Sequence, residues 1–436
     1  WGFESPLGHC MNINKYKLFF YSVVIVVPIL AVSLLQPRTD VEIYGPYFGF
    51  EEEYLQKELD IIGKDLNLSI KYFPIIDVET HIVENYSTGN IPDIAIMPNP
   101  QGVTNLGERS IAIPIESFIQ NDYLFKIYPQ HLIDITTSLE TGINYGAWLR
   151  LFPNSLIWYN VPKYEKIGSP EFNSYNELLS FTNEISERGK EPWCLDSESG
   201  VASGWITTNW VEDLLLATHG PDAYDDWWKL KIEASSNTML SVFLDLGSLT
   251  FGSDNVYGGN LRLTSKEFIN LPKALMDEGS PCIFTWMGHF LSVYFPEEYS
   301  FSVDYNFFLF PSEKYKGSVV GIGDSIVLLS DDKNVINVFE RLMRRDFGNY
   351  WMQQPDATFI PANMNSDISQ ITNPLTVKEA NIIRHAQSLN LFKYDASELM
   401  SRPIGSDKLW NMLTRYMQSG YLASIYKLTA ELDTHY

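Results

Sequence analysis

The sequence predicts an α/β protein of two lobes assembled from interleaved segments. Short apolar runs alternate with amphipathic ones at the spacing of βαβ units, which indicates a mainly parallel sheet. The length, 436 residues, is enough for two ordinary domains, yet no long Pro/Gly/Ser linker divides the chain. Two lobes sharing strands fit this better than two domains in tandem.

Taken in order, Val41–Tyr44 is a short strand, and Gly45-Pro46-Tyr47-Phe48-Gly49 turns the chain into an acidic helix over Glu51–Leu66. Leu68–Phe73 alternates apolar and polar residues, the period of a half-buried strand. Ile91–Met97 is a third strand, left through Pro98-Asn99-Pro100. Further strands are expected at Ser155–Asn160, Asn306–Phe310 and Ser318–Leu329. Helices are expected at Asn176–Arg188, Thr207–His219 (stopped by Gly220-Pro221), Asn334–Phe347, Thr376–Leu389 and Asp407–Gln418, the last followed by Gly420.

Composition narrows the function. Apolar residues at 45% against 19% charged exclude global disorder. A formal net charge of −23 repels phosphate backbones, which argues against a nucleic-acid partner. Aromatics at 14% suit a protein that stacks flat ligand faces, although core filling accounts for most of them.

Residues 1–10 precede Met11 and are set aside as an extension. Lys15 and Lys17 then lead into the uncharged Leu18–Leu35, with small residues at Ala31 and Ser33. This is the pattern of a secretory signal, or of an uncleaved anchor given its length, and it places the body in the periplasm or at the cell surface. Cys10 lies in the extension, leaving Cys194 and Cys282. They are either two separate buried thiols or a disulfide, and an exported location favours the bridge.

Several chemistries are missing. The seven His are scattered, with no His-x₃-His or Cys-x₂-Cys pair, so no metal site is expected. Gly321-Ile322-Gly323-Asp324 starts like a dinucleotide fingerprint, but Ile326 replaces the third glycine and a strand follows. There is no Walker A loop, and Ser203 lacks the glycine of a nucleophile elbow. Neither a cofactor nor an enzymatic activity is expected.

The run Pro192–Trp228 closely resembles α-glucoside-type extracellular solute-binding proteins of ABC importers. Ile91-Pro92-Asp93-Ile94-Ala95, Ser155-Leu156-Ile157-Trp158-Tyr159-Asn160, Gly321–Asp324 and the stretch from Leu375 to Trp410 resemble further motifs of that family, so the similarity covers about residues 40–436. The resemblance implies the two-lobed, type II (Venus-flytrap) periplasmic-binding fold, with ligand held between lobes joined by hinge strands. On this basis residues 1–40 are the extension with its signal or anchor. Lobe 1 comprises 41–146 with 307–345, and lobe 2 comprises 147–306 with 346–436. The family's cysteine pair also matches Cys194 and Cys282. A monomer is implied, delivering a small neutral sugar to membrane permease subunits.

A sugar needs partners for each buried hydroxyl and an aromatic platform for its apolar face. In α/β sheets such groups gather at strand ends. The candidates are Tyr47 and Glu51 after the first strand, with helix capping the competing role for Glu51, and Asn99 and Gln101 after the third, where Asn99 could equally serve only its turn. Trp148 and Arg150 lie near the crossover, where the resemblance implies a basic residue at 150, whereas Phe152 and Asn154 replace the acidic and basic residues expected beside it. Glu198, Ser199 and Gly200 open a glycine-containing loop that ends at Trp205, read as a stacking platform. Trp286 stands where the family carries a more basic patch and is expected to form a pocket wall. Gly323 is expected to leave space for the sugar beside Asp324, the leading polar contact. Trp158 and Trp210 are expected in the core, and Asp213 as a solvated or capping charge. The expected ligands are sucrose, trehalose, glucosylglycerol and maltose-like sugars. The rival readings are a secreted glycoside hydrolase with Glu198 and Asp324 as paired carboxylates, and a membrane-tethered sugar sensor.

Overall fold

The computed structural model describes residues 39–435, apart from 201, 202 and 253. The expectations for Cys10, Lys15, Lys17, Leu18–Leu35, Ala31 and Ser33 lie outside the described residues. Among the described residues no helix is long and apolar enough to cross a membrane.

The chain opens with β1 (Val41–Gly45), α1 (Phe50–Leu66), β2 (Ile70–Pro74), α2 (Val78–Asn85), β3 (Ile94–Met97) and α3 (Pro100–Glu108). β1 pairs in parallel with both β2 and β3, the βαβ arrangement expected from the sequence. Local chemistry sets the helix ends. Asn99 accepts from Gly102 N at 2.6 Å ahead of Pro100, so Pro98-Asn99-Pro100 is a helix cap.

Next comes β4 (Gly146–Pro153), which the sequence treated only as a crossover. It pairs antiparallel with β8 (Val319–Leu328), which in turn pairs antiparallel with β3. The large sheet therefore runs β2-β1-β3-β8-β4, with a short ninth strand, Phe392–Tyr394, beside β8. A register shift between Trp148 and Arg150 bends β4. Such bulges re-aim side chains.

Asn154 and Ser155 carry the chain into the second sheet, where β5 (Leu156–Asn160) lies between β6 (Phe284–Met287) and β7 (Tyr305–Phe308), antiparallel to both. β4 stays paired with β8 in the large sheet up to Pro153, past the position 146/147 where the sequence reading divided the lobes. The carboxy-terminal segment is likewise divided: Phe392–Tyr394 joins the large sheet, whereas the helix Trp410–Ser419 packs on the helix Gly204–His219 beside the second sheet. One apolar cluster, from Val41 to Leu432, runs through both halves, and a smaller one lies between α2, α3 and Tyr145.

Cys194 and Cys282 form a disulfide, with Cα atoms 5.4 Å apart at a sequence separation of 88. It ties the Pro192–Cys194 segment to the strand edge at Phe284, where Cys194 N donates to Phe284 O at 2.8 Å. Closing a loop of this length restricts the unfolded chain, so replacing both cysteines by alanine is expected to cost about 2–4 kcal/mol. Chemical denaturation of the oxidised wild type beside the double variant checks this, and coincident curves would contradict it.

Candidate functional site

The residue that organises the site is Arg150. It follows the bulge in β4, and only 6% of the residue is exposed. Its Nε donates to Asp324 Oδ2 at 2.5 Å, and Nη1 donates to Glu51 Oε1. Tyr47 Oη donates to the same Asp324 oxygen at 2.8 Å. The guanidinium lies 4.2 Å from the centre of the Tyr47 ring, 4.7 Å from Phe152 and 5.3 Å from Trp351. Burial by itself would lower the Arg150 pKa, but Glu51 and its other anionic neighbours outweigh it and hold the cation charged. Burial likewise keeps the Tyr47 phenol protonated.

A cavity of about 610 Å³ opens over this cluster. The large sheet contributes Arg150, Gly323 and Asp324, and the other half contributes Trp205, His289 and Phe290. Trp205 is half-buried, held by its Nε1 donating to Ser199 Oγ at 3.1 Å and by edge contacts to Phe268 and Phe290. His289 stacks on Phe152 with ring centres 4.1 Å apart, and burial with nearby Arg150 lowers its pKa to about 3, so the imidazole is neutral. Asp395 accepts from Asn154 Nδ2 at 2.9 Å, and burial together with Asp395 raises Glu398 to about 7. The combination of aromatic faces, a neutral imidazole and fork-shaped polar groups suits hydroxyl-bearing rings.

Of the sequence candidates, Asn99, Arg150, Trp205, Gly323 and Asp324 meet at this cavity. Tyr47 and Glu51 sit behind it as partners of Arg150 and Asp324, so Glu51 pairs an arginine. Gln101 lines an adjoining chamber with Asn99. Glu198 and Gly200 border a third cavity, where Glu198 accepts from Gly200 N at 2.8 Å, and Ser199 serves to hold Trp205. The carboxylates of the hydrolase reading, Glu198 and Asp324, therefore face different cavities. Phe290, His289, Asp395 and Glu398 were not singled out from the sequence, because nothing local marks residues that only chain crossing brings together.

Four expectations are corrected. Trp148 is buried, with its Nε1 donating to Leu132 O at 2.7 Å and its ring packed on Tyr394, so neighbouring elements cover it. Trp286 forms no pocket wall: it is fully buried between Trp210 and Phe310, and its Nε1 donates to Asp213 Oδ2 at 2.8 Å and Ser155 Oγ at 2.7 Å. Asp213 is consequently a buried acceptor, and burial raises its pKa to about 7. Gly321–Asp324 is part of β8, and its glycines admit neighbouring atoms: a Cβ on Gly323 would stand 2.3 Å from Arg150 O, and one on Gly321 2.2 Å from the Phe392 ring.

No protein-family model matches the chain. Curated relatives do. It is 24% identical over 386 residues to the osmoprotective compounds-binding protein GgtB of Synechocystis, covering 88% of this chain and 89% of that one. It is 26% identical over 386 residues to the alpha-glucosides-binding periplasmic protein AglE of Rhizobium meliloti, covering 86% of this chain and 82% of that one. The chain is similar to the α-glucoside-type solute-binding proteins of ABC sugar importers. Solved structures agree in fold. The bacterial solute receptor AcbH, described as preferring β-D-galactopyranose, superposes with a TM-score of 0.74 at 12% identity, over 91% of this chain and 99% of that one. A family 1 extracellular solute-binding protein of Bifidobacterium longum subsp. infantis gives 0.68 at 13% identity, over 92% and 100%. The fold is the two-lobed, type II arrangement that the sequence resemblance implied.

Two measurements probe the site's construction. Asp324→Ala leaves a buried guanidinium with Glu51 as its remaining carboxylate, and losing one partner of such a pair typically costs about 3–5 kcal/mol. The denaturation midpoint is expected to fall accordingly, and an unchanged midpoint would place the charge balance elsewhere. Asp213 holds its proton up to about pH 7 in the fold, while an unfolded aspartate releases it near pH ~3.9. Its contribution is therefore fully present below about pH 4 and is lost as pH rises to about 7. The stability advantage of wild type over Asp213→Asn should shrink between pH 4.5 and pH 8 in thermal melts. The neutral His131 and His289 act in the opposite sense but are common to both proteins.

Proposed function

We propose that this protein is the substrate-binding subunit of an ABC importer, capturing α-glucosides between its lobes and passing them to membrane permease subunits. The observation that carries the reading is the cavity over Arg150, because both halves of the chain line it. A ligand touching both halves stabilises the closed state by its differential affinity, and release requires only reopening. Capture without bond breaking needs no nucleophile or acid/base pair, so the protein acts as a carrier and not as an enzyme.

The ligand class follows from the lining. Trp205 and Phe290 offer ring faces, while Asn154, Asp324, Asp395 and neutral His289 offer donors and acceptors for hydroxyls. Arg150, the one cation among the described residues lining the cavity, is already committed to two carboxylates, so the site suits an uncharged guest. Sucrose, trehalose, glucosylglycerol and maltose-like sugars fit that description, and the names of the two curated relatives support the α-glucoside class. The uncharged Leu18–Leu35 behind Lys15 and Lys17 supports export to the periplasm or cell surface. We assign lobe 1 to the large sheet with its helices and lobe 2 to the second sheet, working as a monomer.

Calorimetric titration with these four sugars should find at least one that binds and is recovered chemically intact. Trp205→Ala should weaken that sugar at least tenfold, about 1.4 kcal/mol, in a variant that still melts cooperatively. Sugar cleavage would instead establish a hydrolase, and undiminished affinity would remove Trp205 from the site.

A further inference from the structure

Trp410 lines three cavities at once. It borders the chamber over Arg150, a second of about 880 Å³ between α2, α3 and the segment 397–410, and a third of about 400 Å³ beside Glu198. The first two also share Pro98, Asn99 and Glu398, and the second and third share Ser406 and Asp407. The three cavities thus share the tryptophan as a common wall. We propose that the bound glycoside extends past Trp410 from one cavity to the next, so that the preferred ligand has three or more sugar rings with Trp410 as the central platform. This deepens the sugar-binding reading above and rests on it.

Size is the first argument. Pockets of ~300–1,000 Å³ each bury a drug-sized molecule, so the chamber over Arg150, at about 610 Å³, already accommodates a disaccharide. The larger chamber beyond Trp410 then has room for further rings.

Chemistry is the second. Within the second chamber Gln101 Nε2 donates to Asn105 Oδ1 at 2.9 Å, and Asn105 Nδ2 donates to Glu79 Oε1 at 3.0 Å. This relay fixes the orientation of both amides, and Arg109 and Arg402 add donors. Ordered donors and acceptors on one wall are what a chain of hydroxyls requires, since each one left unpaired on burial costs roughly 1–3 kcal/mol.

Construction is the third. The turn before Trp410, Pro403–Leu409, is wound as a π-helix, a rare form that recurs at functional sites. Gly405 lets this turn press against Ser397, where a Cβ would stand 2.2 Å from the carbonyl oxygen. Gly204 seats the tryptophan itself: a Cβ there would lie 2.2 Å from Trp410 Cβ and 2.3 Å from its Cα. Two close approaches that only glycine permits thus set the path of the turn and the position of the Trp410 Cα and Cβ, from which the indole borders the three cavities.

The test is calorimetric titration of the full chain with maltose, maltotriose and maltotetraose, and with sucrose against raffinose. In at least one series the trisaccharide should bind ten times more tightly than its disaccharide. That ratio should fall below threefold in Trp410→Ala and in Gly204→Ala, which displaces the same indole, and should survive in Trp410→Phe; thermal melts confirm that each variant is folded. Ratios below threefold in both wild-type series, or a ratio that persists in folded Trp410→Ala, would overturn the inference while leaving the carrier reading intact. Failure of every sugar to bind would overturn both.

Discussion

A guanidinium with almost no exposed surface sits where the chain passes from one sheet to the other, and much of the structure serves to keep it there. Arg150 takes two carboxylates, Glu51 from α1 and Asp324 from β8, and three aromatic rings close around it. Removing such a charge from water is expensive unless its partners are fixed. The fixing is visible: Tyr47 donates to Asp324, and Tyr72 Oη takes the Tyr47 backbone N–H at 2.6 Å. Three segments far apart in sequence are thereby held in register beneath the cleft.

The same constraint shapes the glycines and tryptophans. β8 lies so close to β4 that Gly323 has no room for a side chain. The buried tryptophans of the second half form a polar-tipped core, in which Trp286 and Trp210 stack and the Trp286 N–H ends on Asp213 and Ser155. Trp205 and Trp410, by contrast, border open space. Nothing in the residue type separates these two classes. What separates them is whether a neighbouring element covers the ring.

This division of labour suits a binding protein. The charges of the Arg150 cluster and the indole N–H groups of Trp210 and Trp286 are taken up by internal partners, which makes a frame. The cleft above them keeps partly exposed aromatic faces, a neutral imidazole and the Asp395–Glu398 carboxyl pair available. A frame that satisfies its own charges leaves the cavity free to recognise an uncharged ligand.

The alternation of strands and helices, the Pro98-Asn99-Pro100 exit from the third strand and the stop at Gly220-Pro221 are carried by local patterns, because periodicity and capping act within a few residues. The Pro192–Trp228 run added the resemblance to α-glucoside-type solute-binding proteins, to which the chain is similar at 24–26% identity. Asn99, Arg150, Trp205 and Asp324, expected from strand ends, glycine turns and the family resemblance, line one cavity, although Arg150 and Asp324 lie inside β4 and β8 and not at strand ends. The β4 bulge that parts Trp148 from Arg150, the burial of Trp286 and Asp213, and the arrival of His289, Asp395 and Trp410 at the cleft were decided only by tertiary structure. Each depends on which distant segment covers a side chain, and sequence spacing does not encode that contact.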